Sequence, residues 1–193
     1  MLSKIRYNAP VILTFSFLSL GALLLGLLTG GWTTTHLFCV YRAPLADPLT
    51  YVRFFGHVLG HSGLEHYMGN ILMMLVIGPT VEEKYGSKPL LYAMLATALV
   101  SGLVQFLFFP GSALLGASGI VFMLIVISSL GGMKNGTIPL TLILVAVFYL
   151  GGEVLRALTA DDNISQLTHI IGGICGGVFG YSMAGRKKHR RKS

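Results

Sequence analysis

Apolar residues along this chain come in long runs, which shorter polar or glycine-containing segments separate. A helix needs about 20 mostly apolar residues to cross a membrane, and the pattern predicts six such spans. The spans are Pro10–Thr29, Glu65–Val81, Pro89–Phe109, Ala117–Gly131, Pro139–Leu158 and Ser165–Met183. We therefore expect an all-α polytopic membrane protein, a bundle of six transmembrane helices.

The first apolar run has an alternative interpretation as a signal peptide, because Lys4 and Arg6 precede it. The apolar core of a signal peptide is usually only about 7–15 residues long. The run at Pro10–Thr29 is longer, and further spans follow it. We expect it to be a retained membrane span.

The predicted fourth span is short. From Pro89 to Met133 the sequence contains no charged residue, which is too long a stretch for one helix, and Pro110-Gly111 divides it. A short helix that follows a glycine-containing loop would begin inside the membrane. Non-helical backbone is tolerated at that depth only where it is buried in protein or faces water.

Residues 30–64 form a long connection in which aromatic residues recur. They are Trp32, Phe38, Tyr41, Tyr51, Phe54 and Phe55. An aromatic-rich amphipathic segment beside a membrane span is typical of chain that lies in the membrane interface.

Composition supports a membrane protein of one domain. The 193 residues are 53% hydrophobic and 11% charged, whereas soluble globular proteins carry roughly 25% charged residues. We place the membrane domain at residues 1–185 and a basic tail at 186–193. Beside so much apolar sequence, this tail is more typical of a cytoplasmic flank at anionic lipid than of a nucleic-acid-binding segment. Cys39 and Cys175 form no CxxC pair and are expected to be packing residues.

The positive charges predict the orientation. Six spans place both termini on one side, and eleven of the fourteen Lys and Arg residues lie on that side. Only Arg42, Arg53 and Arg156 lie on the other. The positive-inside rule therefore places both termini in the cytoplasm, so that residues 116–119 and the start of the sixth span face outward.

His66 and Asn70 form the first candidate site. They are four residues apart on a predicted helix, so they share one face, and both can donate hydrogen bonds. The pair has three interpretations: a polar patch that pairs two spans, an oxyanion or substrate site, and a metal site with His61 and Glu65. The HExxH spacing of a zinc site is absent.

Ser118, in Gly116-Ala117-Ser118-Gly119, is the second candidate. It lies at the predicted start of the fourth helix, where unpaired backbone N–H groups and the helix dipole would stabilise an anion. Serine is also common at this position as a simple helix cap. The motif alone is therefore weak support for a nucleophile.

His169 gives the serine a possible base. It precedes glycines at residues 172, 173, 176 and 177, a small-residue face that lets membrane helices approach closely. We expect this face to pack against Ser118-Gly119. A buried serine hydrogen-bonded to a neutral imidazole is an activated nucleophile. Since Asp161 and Asp162 fall in the predicted outer loop, we expect a dyad without an acid.

Together these features resemble the rhomboid family in its bacterial form. The matching segments, which run from Arg53 to Gly176, are Arg53-Phe-Phe-Gly-His57, the series His61, His66 and Asn70, then Gly78, Glu82 and Gly86-Ser87, Ser101-Gly-Leu-Val-Gln105, Gly116-Ala-Ser118-Gly119, and His169-xx-Gly172-xxx-Gly176.

The resemblance implies an intramembrane serine protease. Ser118 would be the nucleophile and His169 the base, while the side chains of His66 and Asn70 and the Ser118 backbone N–H would form the oxyanion hole. The residues expected beside the cavity or substrate are Gly116, Gly119, Phe122, His61 and Gln105. Glu82 would be structural.

The resemblance also implies a setting. The protein would lie in the bacterial inner membrane and act on single-span or polytopic membrane proteins, without a cofactor, a metal or nucleic acid. The chain departs from the family at two positions: Val52 replaces a common Trp before Arg53, and Phe122 replaces a common Tyr after the serine.

Two other functions are open alternatives. A non-catalytic rhomboid-like protein would bind and retain membrane helices, but the intact Ser118 and His169 argue against it. A small transporter should show inverted repeats with interrupted helices, and the sequence has no convincing internal repeat.

Overall fold

The computed structural model describes residues 6–132, 137, 140, 143–144, 147–148, 151 and 171–182. Its helices are α1 (Pro10–Leu28), α2 (Trp32–Leu37), α3 (Pro48–Gly56), α4 (Leu64–Tyr85), α5 (Ser87–Phe108), α6 (Ser118–Gly132) and α7 (Ile171–Ser182). An isolated antiparallel bridge joins Val40 to Leu114. The prediction of an all-helical fold is confirmed for the described residues.

Two of these helices, α1 and α5, are long and apolar enough to cross a membrane. Both coincide with predicted spans. Helix α4 is as long as α5 but carries Glu65, Glu82, Glu83 and Lys84 at its ends. The fifth predicted span is described only at six positions, which are helical. The count of six spans therefore stays a prediction.

Helix α6 is the buried centre of the described fold. Its residues from Ile120 to Ile127 are buried, apart from the partly buried Phe122 and Val126. A helix that is apolar on all sides is typically enclosed by other elements, and α6 packs against both α4 and α5. The expectation of a short fourth helix is confirmed, since α6 has 15 residues.

The outer faces of α1 and α5 are apolar as well. Phe17 and Leu28 on α1, and Tyr92 and Phe108 on α5, are more than half exposed. Large exposed apolar surface is rare on soluble monomers and marks an interaction with protein or membrane. In helices of this length, it fits contact with lipid.

Glu82 ties the end of α4 to the start of α1. Its carboxylate accepts hydrogen bonds from the backbone N–H groups of Val11 and Ile12, at 3.0 and 3.1 Å, and from the Ser87 hydroxyl at 2.7 Å. These N–H groups have no partner within their own helix, and a carboxylate there also complements the helix dipole. The predicted structural role of Glu82 agrees with these bonds.

The connection between α1 and α4 folds around Arg53. This side chain is 3% exposed. Its guanidinium pairs with Asp47 at 3.1 Å, donates to the His36 carbonyl at 2.8 Å and lies over the Tyr41 ring. On the opposite face of α3, Val52 and its neighbours Tyr51 and Phe55 are exposed. Helix α3 is thus amphipathic, as predicted, and its location in the membrane interface stays a prediction.

Candidate active site

Ser118 is the first residue of α6, and only 9% of its surface is exposed. The first N–H groups of a helix have no intrahelical acceptor, and the positive end of the helix dipole lies there. The serine therefore lies at a buried position where a negative charge would be stabilised. The predicted location of Ser118 at the start of a short helix is confirmed, and its role as nucleophile stays a prediction.

The loop before Ser118, residues 109–117, is called the serine loop below. It is hydrogen-bonded to the connection between α1 and α4. The Gly116 N–H donates to the His57 carbonyl at 2.9 Å, and Leu114 exchanges two 2.9 Å backbone hydrogen bonds with Val40. Gly116 has a φ of +125°, a conformation that residues with a Cβ rarely adopt. These bonds to the connection thus fix the position and direction in which the chain enters α6.

His66 lies directly against this loop. A Cβ built on Gly116 would be 2.8 Å from His66 Nε2 and 2.9 Å from Cε1. The other ring nitrogen, Nδ1, is 3.1 Å from the Ser62 hydroxyl. The imidazole therefore bridges Ser62 and the serine loop, and its Nε2 edge is the one that faces the loop.

Asn70 follows His66 by one turn of α4 and is 4% exposed. Its Nδ2 donates to the His66 carbonyl at 3.1 Å, and both residues make further interactions. The shared face predicted from their spacing is present. Their membership of an oxyanion hole stays a prediction.

Helix α7 packs its glycines against α6. A Cβ on Gly172 would overlap the Gly119 carbonyl oxygen and lie 3.2 Å from the Gly119 Cα. A Cβ on Gly173 would lie 2.8 Å from the Phe122 ring, and one on Gly176 would lie 2.7 Å from the Met123 carbonyl. The expected contact between this glycine face and Gly119 is confirmed. His169 lies outside the described residues.

His61 and His57 support the site from the connection. The His61 Nδ1 is 3.1 Å from the Ser19 hydroxyl and 3.2 Å from the Leu59 carbonyl, and its ring meets the His66 ring edge to face at 4.9 Å. The His57 Nε2 is 3.0 Å from the Ala98 carbonyl. Burial lowers the pKa of each imidazole to about 4, so both are neutral near pH 7 and carry no charge into the core.

Gln105 is 2% exposed. Its amide nitrogen donates to the Ser112 carbonyl and hydroxyl, each at 3.1 Å. These bonds hold the turn between α5 and α6. The expected place of Gln105 beside a substrate cavity stays a prediction.

Ser62 is a contact of the site that the sequence did not suggest. The sequence hint for this contact is that Ser62 lies four residues before His66. Ser62 lies outside α4, however, so helical spacing alone does not establish the contact.

The alternative of a metal site with His61, His66 and Glu65 gains no support. Nowhere in the described ranges do three His, Cys, Asp or Glu side chains come together as metal ligands would.

Comparison with known proteins gives a consistent result. Residues 48–186 match the family model of the rhomboid domain. The chain is 30% identical over 164 residues to Rhomboid-related protein 2 of Mus musculus, covering 72% of this chain and 53% of that protein. It is also 30% identical over 191 residues to Rhomboid protease GluP of Bacillus subtilis, covering 94% of this chain and 36% of that protein.

A third relative is Rhomboid-related protein 1 of Caenorhabditis elegans, 30% identical over 138 residues, which are 67% of this chain and 39% of that protein. The chain thus spans about half or less of the length of these relatives. The rhomboid domain and the apolar helices together indicate an integral membrane protein.

Proposed function

Because this chain belongs to the rhomboid family, we propose that it is an intramembrane serine endopeptidase with Ser118 as nucleophile and His169 as general base. The observation that carries the proposal is the position of Ser118, buried at the first turn of α6 beside the glycine face of α7. The relative GluP is itself named a protease, which supports the same class of activity.

The reaction would be hydrolysis of a peptide bond in two steps. The Ser118 Oγ attacks the scissile carbonyl carbon while His169 accepts the hydroxyl proton. The tetrahedral intermediate collapses to an acyl-enzyme, and the amine leaves with the proton that His169 returns. A water molecule, deprotonated by His169, then attacks the ester and releases the acid and the free serine.

The oxyanion would be stabilised by donors on two elements. The Ser118 backbone N–H at the start of α6 is one. The His66 Nε2 faces the loop that leads to Ser118, and the Asn70 amide lies one turn further along α4. Preorganised donors act strongly in a site from which water is excluded. Because α4 and α6 pack tightly in the core, these donors need little reorganisation during the reaction.

The substrate would be a transmembrane segment of a membrane protein. A helix hides its backbone carbonyls in its own hydrogen bonds, so the segment must unwind before Ser118 can reach one. Small or helix-breaking residues near its outer end should therefore favour cleavage. With both termini in the cytoplasm, as the positive charges predict, the active site would open to the outer side of the bacterial inner membrane.

A non-catalytic helix-binding protein is the alternative. Purified protein in liposomes, supplied with single-span reporter substrates, separates the two functions. We expect cleavage by the wild type and none by Ser118→Ala or His169→Ala. Loss of one oxyanion donor typically lowers the rate about 10²–10³-fold, so Asn70→Ala should retain slow cleavage.

A serine-directed covalent probe provides a readout that does not depend on the choice of substrate. An activated Ser118 should be labelled in the wild type and left unlabelled in His169→Ala. Full cleavage by either dyad variant, or no labelling of a folded wild type, would exclude the proposed mechanism.

A further inference from the structure

We propose that Ser62 is a positioning residue that fixes the tautomer of His66. By binding Nδ1, it would place the imidazole proton on Nε2, the nitrogen that faces the serine loop. The consequence for catalysis rests on the proposed function, since it assumes that His66 donates to an oxyanion. The assignment of the His66 tautomer itself does not rest on the proposed function.

The hydrogen bonds to Nδ1 specify the tautomer. The Ser62 hydroxyl is 3.1 Å from the His66 Nδ1, and the Ser62 backbone N–H donates to the same nitrogen at 3.5 Å. The backbone N–H can only donate. Its 3.5 Å bond is long, but it gives Nδ1 the role of acceptor, for which the closer Ser62 hydroxyl is the main donor. A neutral imidazole has one N–H, and its proton is then on Nε2.

The proton is on the functional side of the ring. Nε2 is the atom that a Cβ on Gly116 would approach to 2.8 Å, and Gly116 lies two residues before Ser118. Only a protonated ring nitrogen can donate to an oxyanion. In the other tautomer, Nε2 would present a lone pair to the developing negative charge and would repel it.

Two neighbouring residues bear on the hydrogen bond between Ser62 and His66. His61 lies edge to face against His66 at 4.9 Å and is itself held by Ser19 and Leu59. Gly63 precedes α4 as its N-cap, and no side chain caps that helix. The Ser62 hydroxyl is therefore directed to His66 rather than to the end of α4, which distinguishes it from an ordinary capping serine.

The first test measures cleavage by Ser62→Ala and Ser62→Thr in liposomes. Ser62→Ala keeps the backbone N–H and loses the hydroxyl, so we expect kcat to fall about fivefold, as for the loss of one ordinary hydrogen bond, with KM unchanged. Ser62→Thr keeps the hydroxyl and should restore kcat. In a His66→Ala background, Ser62→Ala should have no further effect, because the group it positions is gone.

The second test reads the tautomer directly. The protein has six histidines, and ¹⁵N-labelled histidine with His66→Ala as the assignment reference reports the protonation of each ring nitrogen. We expect His66 to be protonated at Nε2 in the wild type. In Ser62→Ala only the longer backbone bond to Nδ1 remains, so the share of His66 protonated at Nδ1 should rise.

The two tests separate the two hypotheses. A Ser62→Ala protein with wild-type kcat and an unchanged His66 spectrum would overturn the positioning role and leave the protease intact. A wild type that cleaves no substrate, but whose His66 tautomer responds to Ser62→Ala, would remove the proposed function while the positioning role stands.

Discussion

At the scale of single residues, Gly116 connects backbone geometry to the proposed chemistry. Its φ of +125° disfavours any side chain, and the space where a Cβ would lie is occupied by the His66 imidazole. Gly116→Ala should therefore strain the loop and displace the ring. We expect cleavage of a membrane-tethered reporter to fall by at least about 10²-fold, as when an oxyanion donor is lost.

Gly111 provides the matched control for this substitution. It lies in the same loop between α5 and α6, is exposed, and has no atom within 4 Å of the place where its Cβ would lie. Gly111→Ala should leave the rate unchanged. If Gly116→Ala is as active as Gly111→Ala, the proposed closeness of His66 to the reacting group is wrong.

The sequence predicted the residues of this region better than their contacts. The glycine-flanked serine at a helix start follows from local pattern, and so does the shared face of His66 and Asn70. The bond from Ser62 to His66 does not, because Ser62 precedes α4 and its position depends on the path of the connection. Likewise, the Asn70 amide bonds to the His66 carbonyl, a choice that helical spacing leaves open.

At the scale of elements, the helix ends show what the sequence could and could not predict. The start of α6 agrees with the expected span within one residue, because Pro110 and the following glycines interrupt the helix. Helix α4 continues to Tyr85, four residues past the predicted end at Val81. The charges at Glu82 to Lys84 indicated an end, but Glu82 is buried and binds the start of α1.

Gly172 determines how closely α7 approaches α6. A methyl group there would overlap the Gly119 carbonyl oxygen, which is backbone and cannot rotate away. Overpacking of this kind typically costs about 1–3 kcal/mol. Gly172→Ala should lower the thermal unfolding midpoint in detergent. Since His169 precedes Gly172 by three residues in the sequence, cleavage should also decrease.

Gly177→Ala is the control on the same helix, because no atom lies within 4 Å of its Cβ position. Alanine is the better helix former, so this variant should unfold at the wild-type temperature or slightly above it. Equal midpoints for the two variants would show that the α6–α7 contact does not depend on the missing side chain.

At the scale of the whole molecule, the charge asymmetry of the sequence predicts an orientation, and the structure shows what some of the charged residues contact. Two of the three cations assigned to the outer side have internal partners. Arg53 pairs with Asp47, and Arg42 donates to the Phe106 carbonyl at 3.0 Å and lies over the Phe106 ring. Both guanidinium groups therefore make contacts within the protein. In the predicted topology, the side that carries the termini would hold nearly all of the basic residues that could contact lipid headgroups, although Lys84 on that side also donates to the Gly131 carbonyl.

This asymmetry predicts the orientation, which the two ends of α5 can test. Lys88 and Gly111 are both exposed, and α5 between them has 22 residues, about 33 Å of helix, which is enough to cross the hydrocarbon core. In a protein whose two cysteines are replaced by alanine, we expect a membrane-impermeant thiol reagent to label Gly111→Cys in intact bacterial cells. Lys88→Cys should react only after lysis. The reverse pattern would place the termini outside and turn the proposed active site toward the cytoplasm, and labelling of both variants in intact cells would mean that α5 does not cross the membrane.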